Sequence, residues 1–178
     1  LSDLKRAKSA AYPYRFDASL AERRCEFEEL LPHVKGHWAI PVLGNPAANL
    51  LRLEPWQCFE RIVLFGWVEK GTGFRRFQVA YREIPRKNSK STGAAVDGLF
   101  CFTADGEFGA ECYSGATTEK QAWEVFRPAR LMAERTTAFR EYYGIQVNAS
   151  NLAIERLGNR FEPIIGKPGD GASPSCAI

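Results

Sequence analysis

The sequence predicts an α/β fold with a mostly parallel sheet flanked by helices. Strand-like segments alternate with amphipathic helical segments along most of the chain, and turn residues separate them. One strand-like segment also leads through a polar loop to a lysine and two hydroxyl residues at the start of a helical segment. The 178 residues suffice for one domain with a substantial hydrophobic core.

The first part of the chain is predicted to be mainly helical. Residues 1–17 are polar and rich in turn formers, so we expect an arm there. Ser19 is a candidate N-cap for an amphipathic helix over residues 20–34. Residues 36–49 contain Gly-Asn-Pro and predict a connection, after which a proline begins a strongly apolar helix over residues 56–68.

The second part of the chain alternates strands with helices, which is the pattern that predicts the sheet. The predicted segments are a strand at 77–84, a helix at 93–102, a strand at 110–116, a helix at 118–139, a strand at 144–148, extended pieces at 153–157 and 161–165, a loop at 167–174 and a strand from 175.

Charge and composition narrow the classes of function. The formal net charge is +3, yet residues 74–92 contain six basic residues and one acid, which favours a local anionic ligand over general nucleic-acid binding. A solvated strand edge with protective charges is the alternative. No apolar run is long enough to span a membrane.

Cysteine and histidine usage gives no evidence for a metal site. Five cysteines are widely scattered without a paired motif, so neither structural zinc nor a disulfide framework is indicated. His33 and His37 could share one helical face. Without a third ligand nearby, we expect them to be structural or solvent-facing.

The loop after residues 77–84 has the architecture of a P-loop. Backbone N–H groups at a helix start favour phosphate oxygens. Lys90 would neutralise the terminal phosphates, and the Ser91 hydroxyl would bind Mg²⁺. Ile84 and Ser89 replace the two glycines that this motif usually has. The residues alone are therefore also consistent with a surface loop that matches the motif by chance.

The string from Ile84 to Thr92 resembles the deviant Walker A loop of tailed-phage large terminases. In that family an arginine stands near the start of the loop, and it corresponds to Arg86. Ser89 departs from the commoner glycine and can form the turn only if its φ permits. The resemblance implies a RecA-like P-loop NTPase fold of the ASCE type. It also implies an ATP site formed by Pro85, Arg86, Lys87, Asn88, Ser89, Lys90, Ser91 and Thr92, with Lys90 and Arg86 as catalytic residues.

Two further stretches resemble parts of the same family. Residues 53–57 resemble its adenine-side motif, in which a glutamine amide, here Gln57, reads the adenine edge next to Trp56. The simpler interpretation is a core aromatic at Trp56 and an early-helix residue at Gln57. Residues 105–122 resemble the family's next strand and helix, and the start of that helix could sense nucleotide or contact DNA. A plain N-cap role for Thr118 explains that pattern equally well.

The end of the sequence resembles the approach to the Walker B strand, over residues 170–178. In the family an aspartate for Mg²⁺ and a glutamate for the attacking water follow that strand. We therefore expect this sequence to be incomplete for catalysis and to lack the C-terminal nuclease domain. The predicted organisation is an N-terminal arm and helix over residues 1–50 and a P-loop ATPase core over residues 51–178.

The resemblance implies an ATP-hydrolysing motor that uses ATP and Mg²⁺ to drive double-stranded DNA into the procapsid. The implied partners are phage DNA, the portal protein, the small terminase subunit and further copies in a ring, in the cytoplasm of the bacterial host and not at a membrane. Lys87, Arg75 and Arg76 are candidates for contacts between subunits or with DNA, and solvated surface roles are the simpler alternative. The competing functions are another P-loop enzyme, such as a helicase or small-molecule kinase, and a non-hydrolysing prophage remnant that binds DNA or the portal.

Overall fold

The computed structural model describes residues 2–45, 47–165 and 174–178. The chain divides into two compact units. The first contains Leu1–Leu30 and Leu50–Glu83, and the second contains Leu31–Asn49 and Ile84–Ile178. The predicted division at residue 50 stays a prediction about domain organisation.

The first unit combines helices with a two-stranded ribbon. Helix α2 packs along α3, and β1 pairs with β2 in antiparallel fashion, with Tyr14 opposite Glu69. Its elements are α1 (Ser2–Arg6), β1 (Tyr14–Phe16), α2 (Ala18–Glu29), α3 (Pro55–Gly66) and β2 (Trp67–Glu69).

Helix α2 begins and ends earlier than the sequence predicts. Its N-cap is Asp17, whose carboxylate accepts hydrogen bonds from the N–H groups of Ser19 and Leu20. The prediction of Ser19 as N-cap is therefore wrong. The helix ends at Glu29 rather than at residue 34, because Pro32 disfavours helical backbone in the residue before it.

The second unit contains a five-stranded sheet with the order β4-β5-β6-β3-β7. Its elements are α4 (Lys90–Thr103), β3 (Glu111–Ala116), α5 (Glu119–Arg135), α6 (Thr137–Tyr143), β4 (Gln146–Val147), β5 (Leu152–Ile154), β6 (Asn159–Ile165) and β7 (Cys176–Ala177). Short 3₁₀ turns lie at His37–Ala39 and Glu155–Leu157.

The α/β fold with helices against a sheet is confirmed, and the sheet is mixed rather than purely parallel. Strand β3 pairs in parallel with β6 and β7, whereas the pairs β4–β5 and β5–β6 are antiparallel. The connections between those antiparallel strands are only a few residues long. Parallel neighbours need a crossover of a dozen or more residues, so such short connections force hairpins.

Helices α4 and α5 pack on each other and on strands β3 and β6. Asn159, at the start of β6, donates its side-chain amide to the carbonyl oxygen of Phe102 near the end of α4, at 2.9 Å. Helix α4 therefore runs antiparallel to β6, and its N-terminus lies towards the carboxyl ends of the parallel strands. Ligands of open α/β sheets usually bind at that edge.

The predicted helix over residues 118–139 is two helices, α5 and α6, which meet at Thr136. Thr136 has φ −110° and ψ 82°, so its backbone is not helical. The predicted helix over residues 93–102 is present and begins three residues earlier, at Lys90. The strands predicted at 110–116 and from 175 are present as β3 and β7. Residues 167–173 of the predicted loop lie outside the described residues.

The strand predicted over residues 77–84 is wrong. These residues have no regular secondary structure, and Val79 and Tyr81 are each 88% exposed. A strand is stabilised by cross-strand partners rather than by propensity alone. Within the described residues, no strand pairs with this segment.

Candidate functional site

The loop before α4 contains two non-glycine residues in the left-handed region. Lys87 has φ 70°, and Ser89 has φ 55° and ψ 24°. Ser89 stands at the position that is usually glycine in a P-loop, and it adopts the turn that glycine would adopt. This conformation costs a residue with a Cβ atom about 1–2 kcal/mol. Ser89 therefore holds a backbone conformation that usually favours glycine.

In the described part of the chain, the first three backbone N–H groups of α4 have no hydrogen-bond partner within the helix. The first backbone hydrogen bond of the helix runs from Gly93 N–H to Ser89 O, at 2.8 Å, and Ser89 makes no side-chain capping hydrogen bond. The N–H groups of Lys90, Ser91 and Thr92 consequently face outward at the positive end of the helix dipole. This arrangement can bind phosphate oxygens.

The side chains of the loop surround that helix start. Lys90 is exposed, and Ser91 and Thr92 are half-buried. The Asn88 amide donates to the carbonyl oxygens of Pro85, at 3.4 Å, and Arg86, at 3.5 Å. These two contacts fold the loop back on itself and leave Arg86, Lys87 and Lys90 exposed to solvent.

A second helix begins at the same edge of the sheet. Helix α5 follows β3 directly, and its N-cap is Thr118, whose hydroxyl accepts from Gln121 N–H at 3.4 Å. The hydroxyls of Thr117 and Thr118 donate to Gln121 Oε1 at 2.9 and 3.1 Å. The N-cap interpretation of Thr118 is thus confirmed, while nucleotide sensing there stays a prediction.

Trp56 and Gln57 lie in the first turn of α3, in the first unit. Gln57 Oε1 accepts from Glu54 N–H at 2.8 Å as part of a capping box, so Gln57 is an early-helix residue as the simpler interpretation states. Trp56 is 44% exposed. The interpretation of Trp56 as a core aromatic is therefore wrong, and its indole ring is accessible to a ligand.

The family model for the ATPase domain of the terminase large subunit matches residues 55–160. The match covers more than half of the chain and includes the loop and the helix start described above. The chain belongs to the terminase large-subunit ATPase-domain family. No curated protein matches the chain significantly.

A solved terminase shares the fold of this ATPase domain. The crystal structure of the HK97 bacteriophage large terminase matches with a TM-score of 0.66 and 22% sequence identity. The match covers 88% of this chain and 30% of that chain. The two proteins therefore share a fold, and this chain spans less than a third of the HK97 protein.

The six basic residues of positions 74–92, called the basic strip below, do not form one continuous ligand surface. The Arg76 guanidinium hydrogen-bonds Asp3 at 2.8 Å and lies 4.9 Å from the ring centres of both Tyr14 and Phe77. The hydrogen bond with Asp3 raises the pKa of Arg76 and lowers the pKa of Asp3. Arg76 therefore makes structural contacts within the first unit, and its role as a contact for DNA or a neighbouring subunit stays a prediction.

Two other arginines of the strip also make contacts within the first unit. Arg75 lies 5.3 Å from the ring centre of Phe65, and Arg82 forms an ion pair with Glu60. The anionic ligand stays a prediction, and Arg86, Lys87 and Lys90 are the residues of the 74–92 stretch that lie exposed around the start of α4.

A buried charge network was missed at the sequence level. Glu28 of α2 accepts from Arg24 at 2.9 Å and from Arg61 of α3 at 2.9 and 3.2 Å, and all three residues are buried. The i,i+4 spacing of Arg24 and Glu28 was visible in the sequence. Such spacing is equally common on solvated helix faces, so it did not predict burial.

The cysteines and histidines form no metal site within the described parts of the chain. His33 precedes the 3₁₀ turn that His37 begins, so the prediction of a shared helical face is wrong. Cys112 and Cys176 are paired in register on β3 and β7. A hydrogen bond from Cys101 lowers the pKa of Cys176, whereas its contact with Cys112 and burial raise it, and the result is about 12. This thiol stays protonated at neutral pH.

No helix among the described residues is long and apolar enough to cross a membrane.

Proposed function

We propose that this chain binds ATP and Mg²⁺ through residues 85–92 and serves as the ATPase motor for packaging double-stranded DNA into a phage procapsid. The observation that carries the proposal is the left-handed turn at Ser89, which leaves the backbone donors of Lys90 and Ser91 open at the start of α4. Membership of the terminase ATPase family supports the same conclusion.

Each residue of the loop has a proposed role. The N–H groups of Lys90, Ser91 and Thr92 would hold phosphate oxygens, and the Lys90 ammonium would neutralise charge on the β- and γ-phosphates. Arg86, which is exposed in the loop, would respond to whether the γ-phosphate is present or has been lost. Asn88 holds the loop closed through its contacts with Pro85 and Arg86.

The residues present fit a magnesium–nucleotide complex. The Ser91 hydroxyl stands one residue after the proposed phosphate lysine, which is the place of the metal-binding hydroxyl in P-loop enzymes. When bound, Mg²⁺ supplies charge neutralisation at the β- and γ-phosphates. Trp56 and Gln57 are the proposed contacts for the adenine base, because the Trp56 ring is accessible and Gln57 has an amide that can pair with a base edge.

The wider packaging role is also a proposal. It implies phage DNA, the portal protein, the small terminase subunit and a ring of identical subunits as partners, in the cytoplasm of the host cell. Lys87, Arg75 and Arg76 are the candidates for contacts with a neighbouring subunit or with DNA, and Lys87 is the exposed one of the three.

Binding of a fluorescent ATP analogue tests the site directly. We expect saturable, Mg²⁺-dependent binding to the 178-residue chain and an affinity about 10- to 100-fold lower for Lys90→Ala, because a charge-assisted contact with phosphate is lost. Lys35→Ala is the matched control, since Lys35 is another exposed lysine of the second unit. Equal binding by wild type and Lys90→Ala, or no binding by either, would contradict the proposal.

A further inference from the structure

Residues 86–92 form a continuous run of backbone N–H groups that donate to no backbone acceptor in the described part of the chain. The next N–H group, that of Gly93, donates to the carbonyl oxygen of Ser89 at 2.8 Å. The first turn of α4 accounts only for residues 90–92 of this run, because the helix begins at Lys90. The N–H groups of residues 86–89 lie before the helix, so the loop offers more donors than the helix start alone.

The Asn88 side chain determines which way two peptide groups of this run face. Its Nδ2 donates to the carbonyl oxygen of Pro85 at 3.4 Å and to that of Arg86 at 3.5 Å. No peptide bond of the described chain is cis, and in a trans peptide group the C=O and N–H bonds point in opposite directions. The N–H groups of Arg86 and Lys87 belong to these two peptide groups, so they point away from the Asn88 amide.

This orientation of the two peptide groups suits an anionic ligand. A carbonyl oxygen repels phosphate, whereas successive N–H groups of a turn form a concave surface that attracts it. Because the Asn88 amide engages both carbonyl oxygens on one side of the loop, both N–H groups are directed to the other side. Lys87 also has the left-handed φ of 70°, which is strained for a residue with a Cβ atom. Such a backbone persists only where surrounding contacts hold it, and the Asn88 amide supplies two of them.

We propose that Asn88 is a positioning residue for the γ-phosphate of ATP. Its amide holds the carbonyl oxygens of Pro85 and Arg86 away from the ligand, so that the N–H groups of Arg86 and Lys87 donate to that phosphate. This inference rests on the proposed ATP site. The γ-phosphate is the group concerned because the Arg86 guanidinium, its proposed contact, belongs to the same residue as one of the two donors. Asn88 acts through the backbone of the loop, and all four residues lie in the second unit.

Paired affinities for ATP and ADP test the inference. The 178-residue chain and its variants are titrated, with Mg²⁺ present, with ATP and with ADP that carry the same fluorescent label. Asn88→Ala removes the amide, and Asn88→Leu removes the donors but keeps a side chain of similar size. Asn88 is exposed, so both variants should fold. Asn45→Ala is the matched control, since Asn45 is another exposed asparagine of the second unit. Amide NMR spectra report directly on the two N–H groups.

We expect both Asn88 variants to bind labelled ATP about three- to tenfold more weakly and labelled ADP within about twofold of wild type, because the donors that turn away serve a charged group that only ATP has. Asn45→Ala should match wild type with both nucleotides. In the wild-type chain, ATP should shift the amide signals of Arg86 and Lys87 more than ADP does. Asn88→Leu should lose that difference between the nucleotides.

Three results would overturn the inference. One is an ATP affinity of Asn88→Leu within about twofold of wild type, which would show that the amide donors are not needed. Another is an equal loss of ATP and ADP affinity, which would indicate a general loosening of the loop. The third is an ATP-induced shift of the Arg86 and Lys87 amide signals that Asn88→Leu leaves unchanged. Absence of binding by the wild-type chain would instead contradict the proposed ATP site, so the two failures are distinguishable.

Discussion

Ser89 occupies the left-handed region, with φ 55°, at the position where P-loops usually have glycine. The open donors of α4 require that turn, and the serine Cβ makes it costly. The turn is thus maintained by the surrounding chain rather than by the intrinsic preference of the residue. Local strain of this kind is often found at ligand sites.

Replacement of Ser89 by glycine should therefore keep the turn and remove its strain. We expect Ser89→Gly to stabilise the chain by up to about 1 kcal/mol, since relief of the left-handed strain exceeds the greater flexibility of glycine in the unfolded chain. Nucleotide affinity should not fall. Chemical denaturation and fluorescent ATP binding measure the two effects.

Ser89→Ala is the matched control for this prediction, because alanine keeps the Cβ atom and so keeps the strain. Its stability should lie within about 0.5 kcal/mol of wild type, since the Ser89 side chain makes no capping hydrogen bond. A stability of Ser89→Gly below that of Ser89→Ala would show that the left-handed turn is not strained.

Helix α4 is held to the sheet at a close approach that depends on Gly98. A Cβ atom at this position would lie 2.5 Å from Phe161 Cζ and 3.1 Å from Ile178 Cδ1. The Phe161 ring is buried and packs edge-to-face on Phe126 of α5, so it has little room to move. The distance between α4 and the strands is consequently set by one glycine in the middle of the helix.

Gly98→Ala should destabilise the second unit by about 1–3 kcal/mol, because overpacking outweighs the better helix propensity of alanine. The measurement is the free energy of unfolding from urea titration. Gly71→Ala is the control, since a Cβ atom there meets nothing within 4 Å. An unchanged or raised stability of Gly98→Ala would mean that α4 can move away from β6 at no cost.

Across the whole molecule, the two compact units differ in the charged side chains that they bury. The second unit has an apolar core in which large side chains such as Phe102, Phe126 and Phe161 are fully buried. The first unit buries the charged residues Arg24, Glu28 and Arg61 between α2 and α3. A buried charge is tolerated only while its partners are present. Removal of one of these buried charges should therefore lower the stability of the first unit far more than that of the second.

Glu28→Gln tests this difference between the units. We expect a loss of about 3–5 kcal/mol, because two buried guanidinium groups would lose their carboxylate. Hydrogen exchange should rise in α2 and α3 and change little in α4 and α5.

Glu29→Gln is the control for Glu28→Gln. Its ion-pair partner Arg52 has a 68% exposed side chain, so a change within about 0.5 kcal/mol is expected. Equal protection losses in both units for Glu28→Gln would contradict the assignment of separate stabilising cores.

Local patterns in the sequence were sufficient to predict several features. Helix α4, strand β3 and the N-cap at Thr118 follow from short-range signals such as apolar periodicity, a hydroxyl before a helix and turn residues. The candidate phosphate loop was recognised because its lysine and hydroxyl are adjacent in the chain. Its family resemblance was read from the same stretch, and the family match confirms that resemblance.

Only the tertiary structure decided the features that depend on residues far apart in the sequence. Residues 77–84 have strand propensity but no strand beside them in the described chain, and the mixed sheet follows from how short connections pair their strands. Arg76, Arg82 and Glu28 are charged residues whose roles depend on side chains far away in sequence, Asp3, Glu60 and Arg61. Propensity and periodicity describe only neighbours along the chain, whereas burial and ion pairing are set by residues that folding brings together.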